Sequence, residues 1–350
     1  MTSPPGLDLD ALGRFLAPLV GDVHGPLTGE VIPGGKSNLT YVVHDGDRRF
    51  VVRRPPLALV LPTAHDMSRE YRVLDALRDT AIPVPPVLVL CTDASVLGAP
   101  FYVMEWVDGH VIRNELPAEF APTPETRRAM SEGLVDTLAE LHAVEPDAVG
   151  LTDFGHPDGF LGRQVRRWWT QWEASKTREL PSIEELHRRL EMSLPRQSAP
   201  GITHGDYRLD NVMYSPDDPR RIAAVLDWEM CTIGDPLCDL GLLLVYWVEH
   251  PDEPAAQRLH GRALTVEDGF YTRQQIVERY AGRSARDLST LDWYVAFGAY
   301  KLAIIAEGIH ARFLLGMTVG EGFDRMGELV PMVVDGALET AQRLVPTTGG

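Results

Sequence analysis

Residues 204–214 read HGDYRLDNVMY, and the first eight of them hold one histidine, two aspartates, an arginine and an asparagine. The chain then turns apolar, as a strand does. Asp206 precedes Asn211 by five residues, and a second strand-like run, RIAAVLDWE, carries Asp227. The turn PDDPR joins the two runs. This pattern predicts a hairpin that brings Asp206, Asn211 and Asp227 to the same edge.

These side chains are the types that phosphoryl transfer uses. A carboxylate can orient and deprotonate a hydroxyl group, and further oxygen ligands can hold Mg²⁺ on a nucleoside triphosphate. An asparagine offers a neutral oxygen for the metal, and an aspartate offers an anionic one. The stretch therefore points to a phosphoryl-transfer site.

The charge of the chain argues against a nucleic-acid partner. Its 350 residues include 50 acidic and 33 basic side chains, a net charge of -17. Affinity for a phosphate backbone depends largely on basic patches, which this balance does not favour. An acidic protein fits a cationic substrate, although simple solubility explains the charge equally well.

The cysteines and the apolar runs predict a cytoplasmic protein without a membrane span. Cys91, Cys231 and Cys238 are odd in number and lack paired metal-ligand spacing, so we expect reduced core thiols. The N-terminal stretch MTSPPGLDLD lacks the features of a signal peptide. No run reaches the roughly 20 apolar residues that a membrane helix needs.

The pattern along the chain indicates an α+β protein with a β-rich first third and a helical remainder. A hairpin around Asp45-Gly46, a helix at about 64–79 and two later strands, IPVPPVLVLC and PFYVMEWV, form the first part. Helices then dominate, beginning with one that Thr123-Pro124 caps. The stretch SIEELHRRL has the Ser-x-x-Glu pattern of a capping box. The change of pattern falls near 107–110.

The motifs HGDYRLDN, VLDWEM and GDPLCDL occur in this order. They resemble the signature of the aminoglycoside phosphotransferase family, HGD-x4-N followed by a D-[FW]-[EG] segment and a GDP-x2-DL segment. The resemblance covers almost the whole chain. It implies a bilobal protein-kinase-like fold, with a small antiparallel sheet in a nucleotide-binding lobe at 1–107. Residues 108–350 would form a larger, mainly helical lobe for catalysis and the acceptor.

The same resemblance assigns roles to the opening stretch. Asp206 would be the catalytic base, and Asn211 and Asp227 would ligate Mg²⁺. Arg208 would stabilise charge on the transferring phosphoryl group. Its alternative is a surface-loop arginine paired with Asp210 or Asp217.

Neighbouring residues receive supporting roles. We expect His204 to buttress the loop by hydrogen bonding. Asp239 would tie the loop down from the next helix, which Asp235 would cap. Glu229 could touch a second Mg²⁺.

The first third supplies the ATP-binding residues that the resemblance implies. The loop Gly34, Gly35, Lys36, Ser37 and Asn38 would approach the phosphates through backbone N–H groups, or would be only a tight turn. Arg53 would position the phosphates and Glu70 would anchor it; Arg54 is the rival assignment. Backbone groups of Glu105, Trp106 and Val107 would bind the adenine edge.

The acceptor is open at this stage. The stretches RRPP, AHDMSREYRVL and RRWWTQWEAS resemble the subfamily that is also fused to acyl-CoA dehydrogenases, which implies a hydroxylated acyl compound or other metabolite. An aminoglycoside-like, choline, homoserine or sugar acceptor stays possible. One ring of Trp168, Trp169 and Trp172 could line the acceptor cleft, as could Glu307 or His310.

Two other functional classes compete with a small-molecule kinase. A non-catalytic nucleotide-binding pseudokinase would lack the base or a metal ligand, and each of these groups is present here. A protein kinase needs a long activation segment, whereas only WEMCTIGDPLCDL follows Asp227. The sequence says nothing of the oligomeric state, of ATP against GTP, or of antibiotic resistance.

Overall fold

The computed structural model describes residues 3–21, 23, 25–33, 38–57, 66–113, 115–250, 263–317 and 323–344. The chain divides into two compact units. The first comprises the described residues up to Gly109 together with Ala223–Cys231, and the second comprises His110–Ile222 and the described residues from Thr232 onward. The sequence division had placed Ala223–Cys231 with the helical part. The segment belongs to the first unit because the Val225 N–H donates to the Pro83 carbonyl oxygen at 2.7 Å and Asp227 pairs with Arg53.

A five-stranded antiparallel sheet forms the first unit, in the strand order β1-β2-β3-β5-β4. Its elements are α1 (Leu9–Leu16), β1 (Thr28–Val31), β2 (Leu39–Asp45), β3 (Arg48–Arg54), α2 (Met67–Leu77), β4 (Val87–Cys91), α3 (Ala94–Leu97) and β5 (Phe101–Glu105). The predicted hairpin is present between β2 and β3, where Asp45 pairs with Arg48. The two turn residues are Gly46 and Asp47, one position later than the sequence indicated, and Gly46 has φ 59°.

Strand alternation decides which arginine of β3 meets which face of the sheet. Phe50 and Val52 lie in the apolar core that the sheet forms with α1. Side chains alternate between faces along a strand, so Arg54 shares their face and Arg53 projects from the opposite one.

Helices dominate the second unit. They are α4 (Pro124–Ala143), α5 (Phe160–Ser175), α6 (Pro181–Met192), α7 (Leu237–Tyr246), α8 (Arg273–Arg283), α9 (Leu291–Leu314) and α10 (Met326–Ala341). Four further strands follow in chain order: β6 (Gly201–Thr203), β7 (Val212–Ser215), β8 (Asp218–Val225) and β9 (Thr232–Gly234). The last three residues of β8 belong to the first unit. Strand β6 pairs with β9 and β7 with β8. None of the helices in the described ranges is long and apolar enough to cross a membrane.

Helix α9 is the central helix of the second unit, packing against α5, α6, α7 and α10. Glycines allow its closest approach. A Cβ atom on Gly241 of α7 would lie 2.4 Å from the Tyr294 carbonyl oxygen, and one on Gly298 would lie 3.1 Å from the Leu242 Cα. The two helices therefore meet almost backbone to backbone.

The two capping predictions had different outcomes. Thr123 caps α4 and forms a reciprocal capping box with Thr126, so the helix begins where the sequence indicated. The capping box predicted in SIEELHRRL is wrong. Helix α6 already begins at Pro181, because proline suits the first helical position and lacks the N–H that a cap would satisfy. Glu185 instead lies 2.7 Å from both Arg188 and Arg189.

Candidate active site

Arg53 joins three parts of the first unit. Its Nε lies 2.8 Å from Glu70 Oε2 on α2, and its Nη2 lies 2.6 Å from Asp227 Oδ1. Arg54, on the opposite face, donates through Nη1 to the carbonyl oxygens of Gly6 and Leu97, each at 2.6 Å. The geometry brings Arg53, and not its rival, to the predicted phosphate-binding cluster.

Glu70 is buried beneath this guanidinium and accepts two further hydrogen bonds. Tyr102 Oη donates to Glu70 Oε2 at 3.0 Å, and Asn38 Nδ2 donates to Oε1 at 2.9 Å. Burial raises the pKa of Glu70, and the positive charge of Arg53 opposes that effect. Burial works against the charge of Arg53, but the surrounding Tyr102, Glu70 and Asp227 raise the pKa of its guanidinium. Sequence reasoning missed Tyr102, because a tyrosine in an apolar strand reads as core.

Asn38 is the one predicted loop residue that the structure describes; Gly34, Gly35, Lys36 and Ser37 lie outside the described residues. Its side chain is buried, and Nδ2 also donates to Glu229 Oε2 at 3.2 Å. Its Oδ1 accepts no hydrogen bond from the described part of the chain. Glu229 Oε2 lies 3.8 Å from Arg53 Nη2. Glu229 thus contacts Asn38 and lies near Arg53.

Asp227 has a strained backbone. Its φ of 64° and ψ of 62° make it the only non-glycine residue with positive φ within the described ranges. A left-handed conformation at a non-glycine residue costs on the order of 1–3 kcal/mol, and such residues cluster at functional sites. Arg53 holds Oδ1, whereas Oδ2 accepts no bond from the described residues and the side chain is one-third exposed. One free anionic oxygen fits a hard cation such as Mg²⁺.

Across the described ranges, no three or more His, Cys, Asp or Glu side chains are grouped as a metal site. Magnesium on a nucleotide needs only one or two carboxylates in addition to phosphate oxygens. Asp227 lies in the first unit and Asn211 in the second, so their pairing as metal ligands stays a prediction from the motif.

Of the three predicted adenine-contact residues, Glu105, Trp106 and Val107, one has an unused backbone donor among the described residues. The Glu105 N–H donates to the Pro86 carbonyl at 2.8 Å and the Trp106 N–H to the Arg49 carbonyl at 3.4 Å. Both N–H groups are therefore committed within the first unit. The Val107 N–H has no partner among the described residues, which leaves it as the donor that an adenine edge could use.

The loop His204–Asn211 in the second unit is held mainly through its backbone. Asp239 on α7 accepts the N–H groups of His204 and Gly205 at 2.6 and 2.8 Å. The Asp206 N–H donates to His204 Nδ1 at 3.2 Å. Gly205 has φ 87°, a conformation that favours glycine. Both predicted supports, the Asp239 tie and the His204 buttress, are thus present.

Asp239 is itself fixed by a buried histidine. His142 Nε2 lies 3.4 Å from Asp239 Oδ2, and His142 Nδ1 lies 2.7 Å from Tyr280 Oη. Burial works to raise the pKa of Asp239, but its hydrogen bonds and nearby histidines hold that pKa below the usual range. Burial lowers the pKa of His142. Asp239 is therefore a buried carboxylate whose oxygens face loop N–H groups and a histidine.

The loop brings Asp206 and Asn211 together. Asn211 Nδ2 donates to both the carbonyl oxygen and Oδ2 of Asp206, each at 2.8 Å. Asn211 is buried, whereas about a quarter of the Asp206 side chain is exposed. The arrangement orients a carboxylate that solvent and a substrate can reach.

Arg208 lies beside the predicted base. Its Nε is 3.5 Å from Asp206 Oδ2 and its Nη1 is 3.4 Å from Asp210 Oδ2. Its guanidinium also stacks over the Tyr246 ring, with 4.7 Å between Cζ and the ring centroid. The structure thus shows the pairing with Asp210 that the surface-loop alternative predicted, and adds a contact to Asp206.

Other candidates of the second unit have structural contacts. Trp168 and Trp172 are buried, and Trp169 stacks on His187 with 4.4 Å between ring centroids. Glu307 is fully buried and accepts the N–H and the hydroxyl of Thr177, both at 2.7 Å.

Asp235 and His310 are the last two residues of the second unit for which the sequence suggested a role. Asp235 lies two residues before α7, and its Oδ1 accepts the N–H of Leu237, the first residue of the helix, at 3.2 Å. His310 is partly buried, and its Nδ1 accepts or donates no hydrogen bond within the described residues.

The comparisons with known proteins agree on one family. The profile of the phosphotransferase enzyme family matches residues 28–273, and the chain belongs to this family. A crystal structure from Ralstonia eutropha, assigned provisionally as an aminoglycoside phosphotransferase, is 32% identical with a TM-score of 0.82. It covers 97% of this chain and 99% of the other. These matches confirm the kinase-like α+β fold.

A second structure shows the fold at low identity. It is a ternary complex of a thermostable aminoglycoside phosphotransferase mutant with AMP-PNP and hygromycin B, at 14% identity and a TM-score of 0.59. It covers 95% of this chain and 98% of the other.

The curated relatives are longer proteins. Mouse acyl-CoA dehydrogenase family member 10 is 32% identical over 336 residues, which cover 95% of this chain and 31% of the relative. Rat acyl-CoA dehydrogenase family member 11 is 32% identical, over 96% of this chain and 43% of the relative. The chain thus spans less than half of the relatives it matches.

Proposed function

We propose that this protein is an ATP-dependent O-phosphotransferase that moves the γ-phosphoryl group to a hydroxyl of a small molecule. The observation that carries the proposal is the fixed and accessible carboxylate of Asp206 in a chain of the phosphotransferase family. GTP is the alternative donor. The three free cysteines fit action in the reducing cytoplasm.

Asp206 acts as the general base in this proposal. Asn211 fixes one carboxylate oxygen, so the side chain is oriented before the acceptor arrives. A carboxylate within hydrogen-bond reach of the acceptor hydroxyl can take its proton as the phosphoryl group is transferred. Arg208, whose Nε lies 3.5 Å from Asp206 Oδ2, would stabilise charge on the transferring phosphoryl group.

By the family motif, Asp227 and Asn211 would hold Mg²⁺, which would neutralise charge on the triphosphate. The free Oδ2 of Asp227 supports its role in this pair. Arg53 contacts the phosphates while Glu70 holds its guanidinium. By the same motif, the loop of Gly34, Gly35, Lys36, Ser37 and Asn38 would approach the phosphates, and the Val107 N–H would bind the adenine edge.

The acceptor is a hydroxylated acyl compound rather than an aminoglycoside. The first support is similarity: the acyl-CoA dehydrogenase relatives are 32% identical over 95% of the chain, whereas the structure with hygromycin B bound is 14% identical and the Ralstonia structure, at 32%, is assigned only provisionally. The second support is charge. Two cations lie at the catalytic loop of the second unit: Arg208 within the loop and Lys301, which donates to the Gly205 carbonyl oxygen. Repulsion between like charges would disfavour a polycation beside Asp206.

An acceptor screen tests this function. ADP release with MgATP would be followed for 3- and 4-hydroxy fatty acids, their CoA thioesters, kanamycin and hygromycin B. We expect turnover with a hydroxyacyl compound, abolished by Asp206→Asn and unaffected by Asp217→Asn in the β7–β8 turn. Turnover with the aminoglycosides alone would contradict the acceptor assignment. Equal turnover in Asp206→Asn and the wild type would contradict the base assignment.

A further inference from the structure

One cation contacts the catalytic loop without belonging to any of the motifs. Lys301 lies on α9, almost 100 residues after the loop, and its Nζ donates to the Gly205 carbonyl oxygen at 2.5 Å. The ammonium also lies over the Trp168 ring of α5, 5.6 Å from its centroid. Among the described residues, the hydrogen-bond acceptor of Lys301 is this backbone oxygen. The hydrogen bond of this lysine thus goes to the backbone of the catalytic loop rather than to a carboxylate.

The position is costly for a lysine. Burial lowers the pKa of the Lys301 ammonium, and the more distant Asp206, Asp239 and Cys238 oppose that effect. Of the 33 basic residues in the chain, three are lysines: Lys36, Lys176 and Lys301. A compact ammonium on a flexible stem can meet a single carbonyl oxygen where a planar guanidinium would need more room.

Lys301 completes the set of bonds around the Gly205 peptides. Asp239 on α7 accepts the Gly205 N–H, and Lys301 on α9 donates to the Gly205 carbonyl oxygen. The near contact of α7 and α9 at Gly241 and Gly298 places both residues beside the loop. The Gly205 carbonyl oxygen and the Asp206 N–H belong to the same planar peptide. The orientation of this peptide therefore sets the position of the Asp206 Cα and the direction in which its side chain leaves the backbone.

We propose that Lys301 is a positioning residue, which fixes the Gly205–Asp206 peptide and thereby aims the Asp206 carboxylate at the acceptor hydroxyl. This inference rests on the proposed role of Asp206 as base. The position of the base matters for the rate, since a displacement of about 1 Å can lower the rate about 100-fold.

The test compares three Lys301 variants with the matched control Lys176→Met, whose lysine pairs with the exposed Glu173 and Glu179. Lys301→Met keeps the length and removes the donor, Lys301→Arg keeps the charge, and Lys301→Ala removes the equivalent of n-propylammonium. Steady-state ADP release with MgATP would be measured with the acceptor from the screen, and with water as acceptor.

We expect Lys301→Met to lower kcat by about 10- to 100-fold while the KM for ATP changes less than about twofold. Lys301→Arg should recover part of this loss. Added n-propylammonium should raise kcat for Lys301→Ala and leave Lys301→Met unchanged, because only the alanine variant has room for it. A purely structural lysine would not show this rescue. Wild-type kcat in Lys301→Met, or a loss without rescue that follows the melting temperature, would overturn the proposal.

Amide hydrogen exchange at 204–207 separates this inference from the proposed function. We expect faster exchange in Lys301→Met than in Lys176→Met, whether or not the protein turns over ATP. Equal exchange would overturn the Lys301 tie. Absence of turnover in the wild type, with the exchange difference present, would instead count against the proposed function.

Discussion

The predicted site residues of the two units are held in different ways. In the first unit, side chains hold one another: Arg53 pairs with Glu70 and Asp227, while Asn38 and Tyr102 donate to Glu70. In the second unit, side chains hold the backbone: Asp239 and Lys301 fix the Gly205 peptides. We expect the first cluster to exchange partners when charged ligands bind, because its charges are joined by side-chain contacts. The loop keeps its shape, because its backbone is fixed from two helices.

The largest effect is expected at the exposed carboxylate of the loop. Asp206→Asn removes the base but leaves an oxygen that can still accept from Asn211, so the loop should keep its shape. We expect kcat to fall by about 100- to 10,000-fold, the range for loss of a general base. Far-ultraviolet circular dichroism and the melting temperature should match those of the wild type. A fall of less than about fivefold would show that another group takes the proton.

The backbone ties of the second unit should matter most for stability. Asp239→Ala leaves two buried N–H groups and His142 without their acceptor, so we expect the free energy of unfolding to drop by about 3 kcal/mol. Urea denaturation measures this. The control is Asp292→Ala, whose exposed pair with Arg343 should contribute at most about 1 kcal/mol. Equal losses in the two variants would mean that the loop is not held as the distances indicate.

Substitution of the two arginines of β3 should distinguish a residue that binds the nucleotide from one that stabilises the fold of the first unit. Arg53→Met should weaken MgATP binding by about 10- to 100-fold, because it removes charge-assisted bonds to phosphate. Arg54→Met should leave that affinity unchanged and lower stability, since Arg54 bonds to the carbonyls of Gly6 and Leu97. Isothermal titration calorimetry with ATP distinguishes them. The reverse outcome would restore Arg54 as the phosphate-binding residue.

The smallest effect is a pH dependence of the second unit. Burial lowers the folded-state pKa of His142 below the ordinary value of 6.5. The unfolded state then binds more protons, so stability should be lost as pH falls from about 6.5 toward that lowered pKa, by at most about 1.4 kcal/mol per pH unit.

The measurement is urea denaturation at pH 7.5 and 5.5 for the wild type and His142→Gln. The variant should lose less stability on acidification. Titration of Asp239 does not interfere, because its pKa is below 3.8 and its effect begins at more acidic pH. His187 also has a lowered pKa and is common to both proteins, so the difference between them isolates His142. Identical pH slopes would contradict the neutral, buried state of His142.

Local sequence signals predicted the hairpin at Gly46 and the capped start of α4, since turn and cap residues act on their immediate neighbours. The motifs also located the loop residues Asp206 and Asn211, which a five-residue spacing brings together. The capping box at Ser182 failed because the helix begins at Pro181, two residues before the start that a Ser182 cap would give.

Long-range contacts were beyond the sequence. Lys301 reaches the loop from a helix almost 100 residues away, and its neighbours Tyr300 and Leu302 look like those of any core helix. Tyr102 meets Glu70 only because β5 lies beside β3 in the sheet. The segment Ala223–Cys231 joins the first unit through the Val225 N–H and Asp227, and neither contact leaves a trace in local composition.

The most direct test of the central claim is thermal unfolding with ATP or GTP, with and without Mg²⁺, for the wild type and Asp227→Asn. Asparagine tolerates the left-handed backbone of this position but removes the anionic oxygen, and Asp217→Asn serves as control. We predict a rise in melting temperature that requires both nucleotide and Mg²⁺ and that disappears in Asp227→Asn only. No rise with either nucleotide at millimolar concentration, or the same rise in Asp227→Asn, would contradict a metal–nucleotide site at Asp227.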